Sequence, residues 1–143
     1  MAFFDWKDEF SVKIKAIDTQ HKKIIELMNE LFESLRDGRE ELVIRDVLDE
    51  LLKYAEYHFG LEAGLFKKYG YDKAAAHLAE HEVFVTKIAC LSEALASNAE
   101  VTATETLDYL RDWFKDHMLT IDIDYGRFFE SIHVIGEIEA QRS

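Results

Sequence analysis

The chain has 143 residues, of which 48% are hydrophobic and 13% aromatic, so it can bury a core and is not expected to be disordered. Its 17 basic and 29 acidic residues give a formal net charge of -12. This balance argues against nucleic acid and anionic membranes as partners, because both attract basic surfaces. Cys90 is the single cysteine, which excludes a disulfide framework, a thiolate zinc cluster and covalent haem attachment.

Nothing in the sequence suggests a membrane or export signal. No apolar run exceeds four residues, so no bilayer-spanning segment is expected. Residues 1–6 contain no basic segment followed by an apolar stretch, and no secretory signal is expected. We predict a cytoplasmic protein that forms one domain over residues 1–143.

Apolar residues recur at helical spacing in four segments, and the absence of proline favours long helices. Short turns between four such helices predict an all-α, up-down-up-down antiparallel bundle. A short C-terminal extension around Phe128 and Ile135 is expected to close one end. The apolar positions are Ile17, Ile24, Met28, Leu31 and Leu35, then Ile44, Val47, Leu51, Ala55, Leu65 and Tyr69, then Ala74, Phe84, Ile88, Leu91 and Leu95, and finally Leu107, Leu110 and Phe114.

Capping residues suggest where these helices begin and end. Gly38 and Gly70 are expected to stop the first and second helices. Asp72 is a candidate N-cap for the third, and Thr102 with Glu105 has the spacing of a capping box for the fourth.

Polar residues with metal-binding side chains fill the gaps in all four apolar faces. Uncompensated burial of so many imidazoles and a carboxylate would cost several kcal/mol, whereas a bound metal uses them as ligands. His58 and Glu62, like His77 and His81, are four residues apart and share a helix face. Five of the six histidines and one glutamate are involved: His21, His58, Glu62, His77, His81 and His117.

The number and type of these residues restrict the metal. They exceed the four ligands of a structural zinc site, and calcium or magnesium prefers oxygen ligands. None of the five histidines follows a glutamate by three residues, as the ferritin-like Glu-x-x-His site requires. Val85 stands where a His-Glu-x-x-His zinc protease would have its second histidine. Two ions bridged by carboxylates would use the whole set.

Four motifs in order resemble the bacterial hemerythrin family over about residues 6–125. They are Ile17-Asp18-Thr19-Gln20-His21, His58-Phe59-Gly60-Leu61-Glu62, His77-Leu78-Ala79-Glu80-His81 and Trp113-Phe114-Lys115-Asp116-His117, with Asp122 five residues on.

This resemblance implies a non-haem di-iron centre in which two iron ions (Fe2+/Fe3+) share an oxo or hydroxo bridge. One iron would be held by three imidazoles and the other by two, and the second would keep an open position for dioxygen. The implied metal ligands are His77, His81 and His117 on one iron, His21 and His58 on the other, and Glu62 and Asp122 bridging both.

Regular helix geometry conflicts with the position of Asp122. A residue five positions after His117 lies about 140° round an α-helix, whereas Asp124 is better aligned but about 10 Å further along the axis. We keep Asp122 as the ligand and predict a local irregularity, such as a π-type turn, between His117 and Asp122.

Several residues depart from the family pattern or have a structural interpretation. Ala63 replaces a common glutamate, Phe114 a common leucine at the oxygen pocket, and Met118 a common isoleucine. The larger Phe114 ring is expected to narrow that pocket. Further expectations are an N-cap or ligand-orienting role for Asp18, close packing at Gly60 and Gly64, a surface position for His133, an inert Cys90 near the buried face, and core positions for Trp6 and Trp113.

Three functions remain open: reversible dioxygen binding, a di-iron redox enzyme acting on peroxide, nitric oxide or ferrous iron, and an oxygen or redox sensor. We favour a non-enzymatic oxygen binder. Among tyrosines, the apolar faces carry Tyr54, Tyr69 and Tyr109, and no catalytic base stands out.

Overall fold

The computed structural model describes residues 2–142, with the side chains of Glu100, Val101, Gln141 and Arg142 left outside the description. A 3-10 turn at Asp8–Phe10 precedes the helices. A six-residue π-helical segment, His117–Asp122, joins α4 directly to α5. The α-helices are α1 (Lys15–Arg36), α2 (Glu41–Tyr69), α3 (Ala74–Ala96), α4 (Glu100–Asp116), α5 (Ile123–Ser131) and α6 (Ile135–Arg142).

The four long helices form the predicted antiparallel bundle. Helix α1 packs against α2 and α4, and α3 packs against α2 and α4, so the four close into a ring. The connections between consecutive helices are short, which makes sequential neighbours antiparallel. The described residues contain no strand and no helix that combines the length and apolarity needed to cross a membrane.

The apolar interior divides into two clusters along the bundle axis. The larger is built on residues such as Leu31, Leu51, Phe84 and Leu107. The smaller one lies toward the start of α1 and the end of α2. In that cluster, α5 and α6 contribute Phe129 and Ile138, so the C-terminal extension closes this end as predicted. Its remaining members include Ile14, Ile17, Leu65, Phe66 and Tyr125.

The predicted helix ends are partly correct. Gly38 and Gly70 follow the ends of α1 and α2 with φ of 63° and 68°, a conformation that glycine adopts without strain. The Asp72 prediction is wrong, because α3 begins after Lys73 and no side chain caps it. The capping-box prediction is also wrong, because α4 begins at Glu100 and Thr102 lies inside the helix.

Two other structural expectations also change. A Cβ added to Gly60 or Gly64 would meet no heavy atom within 4 Å, so these glycines do not mark a close helix contact. The close contact is at Gly126, where an added Cβ would lie 2.7 Å from the carbonyl oxygen of Val12. Cys90 is exposed rather than near the buried face.

Candidate metal centre

The seven predicted ligand residues converge between the two apolar clusters. Each is at most 4% exposed. They come from α1, α2, α3 and the segment that directly follows α4. Helix α1 carries one of them, α2 and α3 carry two each, and the π segment after α4 carries the last two: His21, then His58 and Glu62, then His77 and His81, then His117 and Asp122.

These side chains form two groups. Within each group, the candidate ligand atoms lie within 4.8 Å of one another. His77, His81, His117 and Asp122 make up the first group, which we call the three-histidine group. The second, the two-histidine group, consists of His21, His58 and Glu62. The division of the imidazoles into three and two is the one that the family resemblance implied.

Asp122 contacts imidazoles of both groups through its two oxygens. Its Oδ1 lies 2.9 Å from Nε2 of His117 and 3.1 Å from Nε2 of His77. Its Oδ2 lies 3.2 Å from Nε2 of His21, in the two-histidine group. A carboxylate in this position can therefore bridge two metal ions.

Glu62 joins the two groups through one oxygen. Its Oε1 lies 3.3 Å from Nε2 of His58 and 3.2 Å from Nε2 of His81. The same oxygen is 3.9 Å from Nε2 of His77. The glutamate thus faces both groups from α2, as Asp122 does from the π segment.

The buried polar atoms of the site suit a metal. The Nε2 atoms of all five histidines, and all four carboxylate oxygens of Glu62 and Asp122, have no geometrically sound hydrogen-bond partner among the described residues. Burying so many unsatisfied donors and acceptors is costly unless something else binds them. Imidazole nitrogens and carboxylate oxygens are ligands for iron, so the residues present fit a di-iron group.

Both carboxylates stay ionised in spite of complete burial. Burial by itself opposes ionisation, but the imidazoles of His58 and His81 hold the pKa of Glu62 well below its usual range. Burial and repulsion from Glu62 similarly oppose ionisation of Asp122, yet His117 and His77 hold the pKa of that carboxyl far below its ordinary value. The two ionised carboxylates therefore give the site negative charge, which favours the binding of cations.

The pKa values of the imidazoles are shifted in different directions. Burial, aided by the neighbouring His58, lowers the pKa of His21 from 6.5 to about 4. Burial also lowers the pKa of His81, against the attraction of Glu62. For His117, burial is outweighed by Asp122, which raises the pKa. His21 and His81 are therefore neutral at pH 7, the form in which imidazole binds metals.

The predicted helical irregularity is confirmed. Residues His117–Asp122 form a π-helical segment, whose i to i+5 hydrogen bonding places residues five apart above one another. Asp122 consequently enters the same site as His117. Asp124 points elsewhere and pairs with Lys73, with a distance of 3.5 Å between Oδ2 and Nζ.

Aromatic rings pack against the imidazoles of the site. Phe59 stacks on His81 with centroids 3.8 Å apart, and Trp113 stacks on His117 at 4.5 Å. The fully buried Phe114 places its ring edge-on to His21, with centroids 5.5 Å apart. These apolar rings keep water away from the ligand side chains.

Two residues beside the site have no role in the sequence-based prediction. Oε1 of Gln20 accepts a hydrogen bond from Nδ1 of His58, with 2.7 Å between the two atoms. Tyr125 is fully buried with its ring centroid 5.4 Å from that of His77. Burial, together with the charges of Glu62 and Asp122, raises the pKa of Tyr125 well above its ordinary value. Its position three residues after Asp122, on the same helix face, could have signalled it.

Asp18 has neither of its predicted roles. It lies within α1, which begins at Lys15, and so it is not an N-cap. Its carboxylate instead accepts hydrogen bonds from the Ser11 hydroxyl, at 2.5 Å, and from the Val12 amide, at 3.0 Å. Asp18 therefore holds the segment that precedes α1, and Gln20 is the residue that contacts a ligand histidine.

Comparison with known proteins agrees with this geometry. The model of the hemerythrin HHE cation binding domain matches residues 12–128. The chain belongs to the hemerythrin family. A bacteriohemerythrin of Clostridium acetobutylicum is 34% identical over 85% of this chain and 98% of its own. Another, from Methylococcus capsulatus, is 34% identical over 88% of this chain and 96% of its own.

A solved wild-type hemerythrin structure has the same fold. It superimposes with a TM-score of 0.79 at 34% identity, covering 88% of this chain and 97% of that one. A myohemerythrin of Sipunculus nudus is 28% identical over 84% of this chain and 88% of its own. The relatives are therefore matched over nearly their full lengths.

Proposed function

We propose that this member of the hemerythrin family binds dioxygen reversibly at a non-haem di-iron centre, for oxygen storage, delivery or buffering. The observation that carries the proposal is the division of the buried ligands, three imidazoles against two, with a carboxylate facing both groups from each side. Such a division leaves one ion with fewer protein ligands than the other.

We assign the proposed metal ligands according to the two groups. His77, His81 and His117 would hold one iron, and His21 and His58 the other. Glu62 and Asp122 would bridge both, and an oxo or hydroxo group would complete the bridge. When bound, the two ferrous ions supply the electrons that dioxygen accepts.

Side chains around the site favour binding over catalysis. Phe59 and Phe114 present apolar rings beside the histidines, which excludes water and solvent-borne protons. The nearby Tyr125 hydroxyl is buried, and its raised pKa keeps it protonated at pH 7. These features support a binding protein over an enzyme. The cytoplasmic location and the single domain over residues 1–143 stay predictions from the sequence.

The deciding experiment combines an iron assay with optical spectra of the reduced protein before oxygen, after oxygen, and after its removal. Two irons per chain and a charge-transfer band that appears and then disappears would support the proposal. A band that decays to an oxidised form, recovered only by a reductant, would instead indicate a redox enzyme or sensor.

Variants test the ligand assignment in the same assay. His77→Ala and Glu62→Ala should lower iron content, because each removes a ligand that cannot be replaced from solvent in a buried site. His133→Ala is the control, since His133 is exposed and belongs to neither group of candidate ligands. Unchanged iron in the first two variants would contradict the assignment.

A further inference from the structure

One imidazole of the centre differs from the other four in its hydrogen bonding. Nδ1 of His58 lies 2.7 Å from Oε1 of Gln20, and both side chains are buried. The Nδ1 atoms of His21, His77, His81 and His117 have no hydrogen-bond partner among the described residues.

With the amide oxygen of Gln20 as its partner, this hydrogen bond requires a proton on Nδ1 of His58. The amide oxygen of Gln20 can only accept, so Nδ1 of the neutral imidazole carries the proton and donates it. Nε2 is then left with its lone pair, and it faces Glu62 Oε1 at 3.3 Å inside the site. The opposite tautomer would place a proton on Nε2 and prevent it from binding a metal.

Gln20 lies next to another candidate ligand in the chain. It directly precedes His21 on α1, and the rings of His21 and His58 meet edge to face with centroids 4.6 Å apart. Two consecutive residues of α1 therefore contact the two-histidine group: His21 contributes one imidazole, and Gln20 hydrogen-bonds the other across the helix interface.

We propose that Gln20 is a positioning residue that selects the tautomer of His58, holds its ring and raises its strength as a ligand to the iron of the two-histidine group. The inference rests on the proposed di-iron centre, and it goes further by making the two iron sites unequal beyond their ligand count. Hydrogen bonding to a ligand imidazole increases its basicity and commonly changes metal affinity by about 10–100-fold.

The first test uses the metal-free protein and so does not depend on iron. NMR of 15N-histidine-labelled protein under mildly alkaline conditions should show His58 as the Nδ1–H tautomer. In Gln20→Leu, which has a similar volume but no acceptor, His58 should become a mixture of tautomers. A wild-type His58 protonated on Nε2 would overturn the proposal, whatever the protein binds.

The second test loads iron into wild type, Gln20→Leu and Gln20→Glu and follows it by chelator competition and Mössbauer spectroscopy. In Gln20→Leu one of the two irons should be lost to the chelator roughly 10–100-fold more readily, while the other is retained. In Gln20→Glu, a stronger acceptor of the same shape, both irons should remain and one Mössbauer doublet should shift.

Asn29→Leu is the matched control. Asn29 also lies on α1, and its amide bonds the backbone of Phe4 at 2.8 Å in both directions, away from the centre. Its loss should lower the melting temperature without altering either iron. Equal iron retention and identical spectra in all variants would overturn the role of Gln20. Failure of the wild type to bind two irons would instead contradict the proposed function, leaving the tautomer result to stand by itself.

Discussion

At the scale of single residues, two nearby aspartates differ in whether their carboxylates reach the metal centre. Asp122 is fully buried and contacts three imidazoles, whereas Asp124 is partly exposed and pairs with Lys73. The two lie only two positions apart in the chain, yet one faces buried imidazoles and the other a surface lysine. The π-helical segment that begins at His117 brings Asp122 into the site and leaves Asp124 outside it.

We expect Asp122→Asn to lower iron content and Asp124→Asn to leave it unchanged. The first substitution removes the negative charge from a carboxylate that faces both metal groups, and the second weakens only a surface ion pair worth at most about 1 kcal/mol. Iron per chain, measured after purification in parallel, checks both. Loss of iron in Asp124→Asn alone would reverse the assignment.

Phe114 should restrict access to the two-histidine group. We expect Phe114→Leu to speed the binding and release of dioxygen, because a smaller side chain opens space beside the His21 ring. The cavity should also lower the free energy of unfolding by about 1 kcal/mol. Stopped-flow spectroscopy measures the rates and denaturant titration the stability.

Phe84→Leu is the control for this substitution. Phe84 is as deeply buried and contacts Phe59, Trp113 and Phe114 rather than a ligand imidazole. It should lose similar stability without faster binding. If both variants bind oxygen at the same rate, Phe114 does not control access.

At the scale of helices, the π segment is the element on which the site depends. It lies where α4 would otherwise continue without a break into α5, and its wider turn brings His117 and Asp122 onto one face. The hydroxyl of Thr120 bonds the Asp116 carbonyl oxygen at 2.7 Å, giving that oxygen a partner next to the segment. An ordinary α-helix would present one of the two ligands but not both.

Two helical glycines should respond in opposite directions to the same substitution. We expect Gly64→Ala to raise the free energy of unfolding by about 1 kcal/mol, because alanine has the higher helix propensity and the added Cβ meets no neighbour. Gly126→Ala should lower it, because the Cβ would lie 2.7 Å from the Val12 carbonyl oxygen. Denaturant titration of both variants checks this pair. Stabilisation by Gly126→Ala would mean that the Val12 segment moves freely.

At the scale of the whole molecule, the bundle is arranged around a polar centre placed between two apolar clusters. Removing iron should therefore lower the melting temperature, since the buried ligands then lose their partner while a metal that binds the folded chain stabilises it. Calorimetry of the metal-free and iron-loaded forms measures the difference. Equal melting temperatures would contradict a buried metal site.

Stability of the metal-free protein should also depend on pH. His21 has a pKa of about 4 when folded and 6.5 as its ordinary value, and His81 is shifted in the same direction. Between these values the unfolded chain binds more protons than the folded one, so stability falls as pH is lowered from about 6.5 to about 4. The raised pKa of His117 acts above pH 6.5 instead, where its stabilising contribution is lost as pH rises.

Below about pH 4 a further loss is expected, because the pKa values of Glu62 and Asp122 are lowered in the folded chain. Their unfolded forms then take up protons first, and the stability that their ionised forms provide disappears. Thermal melts of the metal-free protein across this range check both steps. His21→Phe should reduce the loss between pH 6.5 and 4; an unchanged pH profile in this variant would contradict the role of His21.

The amino-acid sequence predicted the bundle and six candidate ligands from spacing, and the resemblance to the hemerythrin family added Asp122. Helical spacing of apolar residues depends on local geometry alone, and buried imidazoles such as His58 interrupt that spacing visibly. The π turn could also be predicted, because Asp122 and His117 cannot share a face of a regular helix.

The groups that support these candidate ligands are evident only in the folded chain. Gln20 and His58 lie 38 positions apart, and their hydrogen bond arises from the packing of α1 on α2. The approach of Val12 to Gly126 likewise depends on how the chain folds back. Spacing within one helix specifies which residues share a face, but contacts between helices depend on axial register and rotation, which no local pattern encodes.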